Sequence, residues 1–385
     1  MSRSKHSLHS SVDLTPAHRT AIRTAFAKLL SRRTEALAAA PEAAAAPVSY
    51  EFPLSTVSLN LNFDAYITVS FPVATAAASA SLLVDSGNSM LIVPRWEDIQ
   101  AIPGYQTVYT VLGQADEPWG CPANVVKGPI ELIAAEGSSL VIEDCVFYAC
   151  TGNPPDIPRT ANFGVGCLNP WTASSWDTHL AGVTMQSPLS YSNYPYAEFD
   201  YAPAGQVMQA SGADPALAGD SILRLYAALP GGYSMFDIIP NCEWMSLAPK
   251  SLGIGGRLTQ WPGPGAAIAM VDTGGGPVFL SDPDGYVYSA KWPDDVANPD
   301  WTVNSVSCQS TEASVGVELG DSNGSYSYTI DDSTFPPAVQ GLTLVMCEQN
   351  QYMMGQRGMN IGGISALSNY ILIDFQNKRV GLKTK

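Results

Sequence analysis

From about residue 48 onward, apolar and polar side chains alternate with the period of two that marks a half-buried β-strand. Val57-Ser58-Leu59-Asn60-Leu61-Asn62-Phe63 keeps the alternation unbroken, and Tyr66-Ile67-Thr68-Val69 continues it. Apolar runs at 108–111, 130–134, 140–147, 268–271 and 370–373 predict further strands, and the segments between them are rich in Gly, Pro, Ser and Asn. Helical spacing is rare in this body, with 215–228 predicting one short helix. The pattern predicts an all-β fold.

The first 47 residues read differently. Thr15-Pro16 makes a helix start, and Ile22, Phe26, Leu29 and Leu30 then recur at helical spacing among Arg19, Arg23, Lys28, Arg32 and Arg33. The Ala- and Pro-rich stretch 36–47 reads as a linker. A basic amphipathic helix on such a tether suits an inhibitory prosegment laid across a cleft; an inert arm and a transit peptide are the other readings. No apolar stretch follows the initial charges, so a secretory signal is not predicted and the compartment stays open. A secreted or vacuolar destination would require a longer or atypical N-terminus.

Charge sharpens the division. The net charge is −16, yet seven of the 19 basic residues lie in the first 33 positions beside a single acidic one, Asp13. The remainder carries 12 basic and 34 acidic groups. A body of that sign repels phosphate backbones, so no nucleic-acid partner is expected. No run of eighteen apolar residues occurs, so no membrane partner is expected either. Charged residues make up only 14% of the chain, whereas 33 glycines and 29 prolines fit a turn-rich β protein.

Side-chain chemistry narrows the choice further. Of four histidines only His179 lies beyond the arm, which removes a His-rich zinc site and leaves a Ser-His-Asp or Cys-His mechanism resting on one residue. No metal and no cofactor is expected, and the chemistry falls to carboxylates. The seven cysteines form no CxxC pair. Cys121, Cys145 and Cys150 stand close enough in sequence for one disulfide; buried thiols are the alternative.

An internal duplication decides the reading. Ser81-Leu82-Leu83-Val84-Asp85-Ser86-Gly87 has its counterpart in Ala267-Ile268-Ala269-Met270-Val271-Asp272-Thr273-Gly274, each an apolar strand running into Asp-Ser/Thr-Gly. Downstream of each, Phe163-Gly164-Val165-Gly166 and Asn360-Ile361-Gly362-Gly363 place glycine after an apolar residue. Two repeats in the same order exclude ordinary surface turns at both Asp motifs. Two carboxylates brought within hydrogen-bonding distance cannot both ionise cheaply, so they share one proton and divide into an acid and a base. Gly87 and Gly274 allow the tight turns, and Ser86 and Thr273 carry hydroxyls able to lock the two loops together.

On these residues the chain resembles the pepsin-like aspartic protease family over roughly 50–385. Leu83-Val84-Asp85-Ser86-Gly87-Asn88-Ser89-Met90-Leu91-Ile92-Val93-Pro94 is similar to the family's first active-site segment, and Met270-Val271-Asp272-Thr273-Gly274 to its second. Ile361-Gly362-Gly363-Ile364, Asn369-Tyr370-Ile371-Leu372-Ile373-Asp374 and Val380-Gly381-Leu382 are similar to its C-terminal block. The resemblance implies a bilobal fold with a pseudo-two-fold active-site cleft, a lobe at 48–228 carrying Asp85 and a lobe at 229–385 carrying Asp272. It implies a monomeric endopeptidase made as a zymogen, acting on a peptide or protein substrate at acidic pH, with Asp85 and Asp272 catalytic. Ser86, Gly87, Asn88, Thr273 and Gly274 would support them, Trp119 and Gly120 would sit on a flap, and Cys308 would pair with Cys347.

Some positions depart from the family pattern. Gly275 and Gly276 stand where a hydroxyl residue usually bonds the second aspartate, and Asn88 replaces a serine at the first, as a residue still able to donate. These departures leave two other readings open. One is a binding or inhibitor protein that keeps the fold; the other is an acid–base enzyme, a cyclase or isomerase, acting on a small molecule.

Overall fold

Alternation becomes burial in the strands. Along Ser314–Asp321, Val315, Val317 and Leu319 enter the core while Gly316 and Glu318 are half-exposed on the opposite face. The computed structural model describes residues 48–59, 62–72, 78–94, 104–111, 123–151, 161–167, 171–172, 184–202, 218–239, 245–254, 257–260, 267–275, 278–281, 308–309, 314–321, 324–334, 345–347 and 358–385. The expected N-terminal arm and linker at 1–47 lie outside the described residues.

The described chain is all-β in character, with one α-helix among the described residues, Gly362–Ser368. Two expectations need correction. The alternation through 57–69 is not one strand: Val48–Leu59 and Asn62–Phe71 form an antiparallel hairpin, with Leu59 opposite Asn62 and Ser55 opposite Tyr66. Each arm keeps the period of two, but the buried positions change parity across the reversal, from Phe52 and Leu54 to Ala65, Ile67, Val69 and Phe71. The helix expected at 215–228 is instead the strand Ala218–Tyr226, held between Val48–Leu59 and Tyr196–Asp200. Ser221, Leu223 and Leu225 are buried and Ile222 and Arg224 half-buried, so pairing on both edges selects the strand over a weak helical spacing.

Among the described residues, thirteen strands form the largest sheet, which gathers segments from far apart in sequence. Within it Tyr196–Asp200 pairs with Ala218–Tyr226 on one edge and with Asn369–Asp374 on the other. Arg224 stitches this region together, donating to Glu51 at 2.9 Å on one neighbouring strand and to Glu198 at 2.7 Å and Asp200 at 2.9 Å on the other. Glu198 is only 5% exposed, and the Tyr233 hydroxyl also donates to it.

The duplication read in the sequence recurs in the strand topology. Ala78–Asp85 pairs in parallel with Asn162–Gly164, which runs antiparallel to Leu91–Val93, which in turn pairs in parallel with Ser139–Cys150. Ile268–Met270 pairs in parallel with Gly358–Asn360, which runs antiparallel to Val278–Ser281, itself parallel to Val345–Cys347. The order and directions are the same in both copies. Val84 and Phe163 of the first belong to the same apolar cluster as Val271, Met359 and Ile361 of the second. The two Asp-bearing turns therefore rest on one shared core.

Candidate active site

Each Asp motif is the exit from a buried strand. Val84 and Val271 are fully packed immediately before Asp85 and Asp272, which fixes where the two turns begin. The turns then grip each other. The Ser86 backbone N–H donates to Thr273 Oγ1 at 3.0 Å, and the Thr273 N–H donates to Ser86 Oγ at 2.9 Å. Each hydroxyl passes its own hydrogen across to the opposite strand, Ser86 Oγ to the Val271 carbonyl at 2.9 Å and Thr273 Oγ1 to the Val84 carbonyl at 3.1 Å. Both side chains are buried, so all four bonds are shielded from water.

This grip brings the two carboxyls together. Asp85 Oδ1 accepts from the Gly87 N–H at 2.7 Å and Asp272 Oδ1 from the Gly274 N–H at 3.1 Å. A Cβ on Gly87 would lie 2.7 Å from Asp272 Oδ1 and 3.1 Å from Asp85 Oδ1, and one on Gly274 would lie 2.7 Å from Asp85 Cγ. Glycine is required at both places by the close approach of the opposite carboxyl. Burial raises the pKa of Asp272 well above the usual carboxylate range, and the adjacent Asp85, through its charge and a hydrogen bond, raises it further; the Asn360 amide and the Gly274 N–H pull it back in part.

The outer oxygens have matching partners. Asn162 Nδ2 donates to Asp85 Oδ2 at 2.7 Å, and Asn360 Nδ2 donates to Asp272 Oδ2 at 2.7 Å. Asn162 stands opposite Leu83, two residues before Asp85, and Asn360 opposite Met270, two residues before Asp272, so the register is the same in both copies. These are the site residues that the sequence reading missed. Its apolar–Gly pairs were the nearby signal: each is preceded by asparagine, in Asn162-Phe163-Gly164 and Asn360-Ile361-Gly362.

In sequence comparison the chain matches no protein-family model and no curated protein. The geometry of the site therefore carries the argument. Asn88 corrects one expectation: its Oδ1 accepts from the Met90 N–H at 3.0 Å, and its Nδ2 has no partner among the described residues, so the donor to Asp85 is Asn162. Gly275 acquires a reason, because a Cβ there would lie 3.1 Å from Asn360 Nδ2 and 3.1 Å from Asp272 Oδ2.

The remaining expected residues are less informative here. Trp119 and Gly120 lie outside the described residues, on the connection between the paired strands Gln106–Val111 and Ala123–Ile133. Gly276 and Cys121 lie outside them too. Cys145 and Cys150 cannot bond to each other: five residues apart on one strand, they face opposite ways and join different apolar clusters, and Cys145 is a free buried thiol. Cys308 and Cys347 stand directly opposite in adjacent antiparallel strands.

Proposed function

We propose that the chain is an aspartic-type endopeptidase with a bilobal, pepsin-like architecture, in which Asp85 and Asp272 share one proton and activate a water. The observation that carries this reading is the mutual approach of the two carboxyls with Asp272 held toward its protonated form. A half-protonated pair has the composition peptide hydrolysis needs. Its ionised member takes a proton from water as the water attacks the peptide carbonyl, and its protonated member donates to the carbonyl oxygen. A proton then passes to the leaving nitrogen, and the pair returns to its starting state. Neither a metal nor a covalent nucleophile is part of that cycle.

The duplicated strand pattern supports two related lobes, 48–228 and 229–385, each contributing one aspartate. The binding-protein reading drew on the absence of a hydroxyl donor at 275; the Asn360 amide supplies a donor to the same carboxylate, which favours the enzyme. The basic arm at 1–47 is proposed as a prosegment for the acidic body. Casein incubated at acidic pH with the protein freed of residues 1–47 tests the reading. Cleavage that pepstatin blocks, and that Asp85→Asn abolishes, is expected; intact casein under all conditions would overturn it.

A further inference from the structure

The amides of Asn162 and Asn360 differ from hydroxyls in one respect that matters for a shared proton. A hydroxyl can donate or accept, whereas an amide nitrogen only donates. The Asn360 amide has no freedom to turn over, because its Oδ1 accepts the Gly362 N–H at 2.8 Å, leaving Nδ2 toward Asp272 Oδ2. Asn162 occupies the same register beside Asp85, where its Nδ2 contact to Asp85 Oδ2 alone sets the amide because its Oδ1 has no partner among the described residues. Both side chains are almost completely buried. A carboxyl oxygen facing such a donor at 2.7 Å has to accept, since a proton on it would point at another hydrogen.

We propose that Asn162 and Asn360 are positioning residues that hold the outer oxygen of each aspartate as a permanent acceptor and so confine the exchangeable proton to the two inner oxygens. This rests on the acid–base reading of the Asp85–Asp272 pair. The inner oxygens are the two that crowd Gly87, and each accepts only one backbone N–H, which leaves room for a proton between them. The titratable groups at this point are the two aspartates themselves. The other described groups bonded to them or to their turns are neutral: Asn162, Asn360, Ser86, Thr273 and the Gly87 and Gly274 amides. Gly275 fits the same design, because any side chain there would press on the amide. The downward pull of Asn360 on Asp272 is in keeping with a donor that favours the ionised outer oxygen.

The discriminating variant is Asn360→Asp in the full chain. It is isosteric, keeps an acceptor for Gly362, and can donate to Asp272 only while protonated. Thermal unfolding across pH gives the readout without any substrate. The expected result is near wild-type stability at about pH 3 and a Tm deficit roughly 4 °C larger at about pH 7, with Asn162→Asp behaving alike. In an Asp272→Asn background the growth of the Asn360→Asp deficit with pH should vanish.

A deficit of equal size at both pH values would overturn the proposal, as would growth that persists undiminished beside Asp272→Asn. If Asn360→Asp fails to fold, Asn360→Ala combined with Gly275→Ser serves instead. The new hydroxyl at 275 should recover at least about half of the neutral-pH Tm loss of Asn360→Ala, although Gly275→Ser alone lowers Tm. Purely additive losses would overturn the assignment. A pH-dependent penalty in a protein that cleaves nothing would sink the endopeptidase reading and keep this one. A flat penalty in an active protease would do the reverse.

Discussion

Ser86 and Thr273, 187 residues apart, each donate a backbone N–H to the other's hydroxyl oxygen, at 3.0 and 2.9 Å. The exchange locks two turns that local sequence alone would leave independent. Ser86→Ala leaves the Thr273 N–H and the Val271 carbonyl without their partners in a buried place, and should cost about 1–3 kcal/mol for each orphaned group. Thr273→Val should cost a similar amount through the other two bonds, and the double variant should depart from the sum of the two, because the turns hold each other in place. Denaturant unfolding measures all three.

Asp272 predicts a stability profile whose sign follows from its raised pKa. A carboxyl that prefers its protonated form in the folded state contributes stability that is fully present below the ordinary carboxylate range. That contribution is lost as pH rises through the folded value. Asp272→Asn keeps the neutral form at every pH. It also gives up one acceptor oxygen to the Gly274 or Asn360 donor, a loss that does not vary with pH. Its Tm relative to the wild type should therefore rise steadily from strong acid to neutral pH, as a thermal scan across that window would record.

If the pair is the proposed endopeptidase dyad, Gly87→Ala should sharply lower proteolysis while the fold persists. The added methyl would start 2.7 Å from Asp272 Oδ1, so the carboxyls have to part. The expected losses are about 1–3 kcal/mol of stability from overpacking and at least about 10²-fold in kcat/KM, since misplacement by about an ångström carries that penalty. Steady-state kinetics beside a denaturation curve separates the two effects.

The strand pattern and the Asp motifs were readable because both obey short-range rules: a period of two, and an apolar strand ending in Asp-Ser/Thr-Gly. The reversal between Leu59 and Asn62 was not, because the sequence alternates straight through it from Val57 to Phe63 with no glycine or proline to mark a turn, although the buried positions change parity there. The strand Ala218–Tyr226 read as a helix because its partners, Val48–Leu59 and Tyr196–Asp200, are supplied only by the folded sheet. Asn162 and Asn360 passed unnoticed for a related reason: an asparagine gains its role only when a parallel neighbour brings an aspartate beside it. Gly275 looked like a defect until its cross-strand partner was in view.

Arg224 offers a test of the central sheet away from the site. Arg224→Ala strips the guanidinium from Glu198 and Asp200, which are largely buried, and should destabilise the protein by about 3–5 kcal/mol. Urea unfolding should show the loss with an unchanged slope.

Cys145 and Cys167 should resist thiol reagents in the native state. Burial pushes the Cys167 thiol up to about 12 and raises that of Cys145 as well, so neither forms thiolate at neutral pH. Thiol titration before and after unfolding should find both unreactive and then reactive.

Pepstatin binding followed by thermal shift at acidic pH reports most directly on an assembled pair of carboxyls sharing a proton. A rise in Tm that saturates with inhibitor, and that disappears in Asp85→Asn, is the predicted result. No shift at any pH, or an equal shift in the variant, would contradict it.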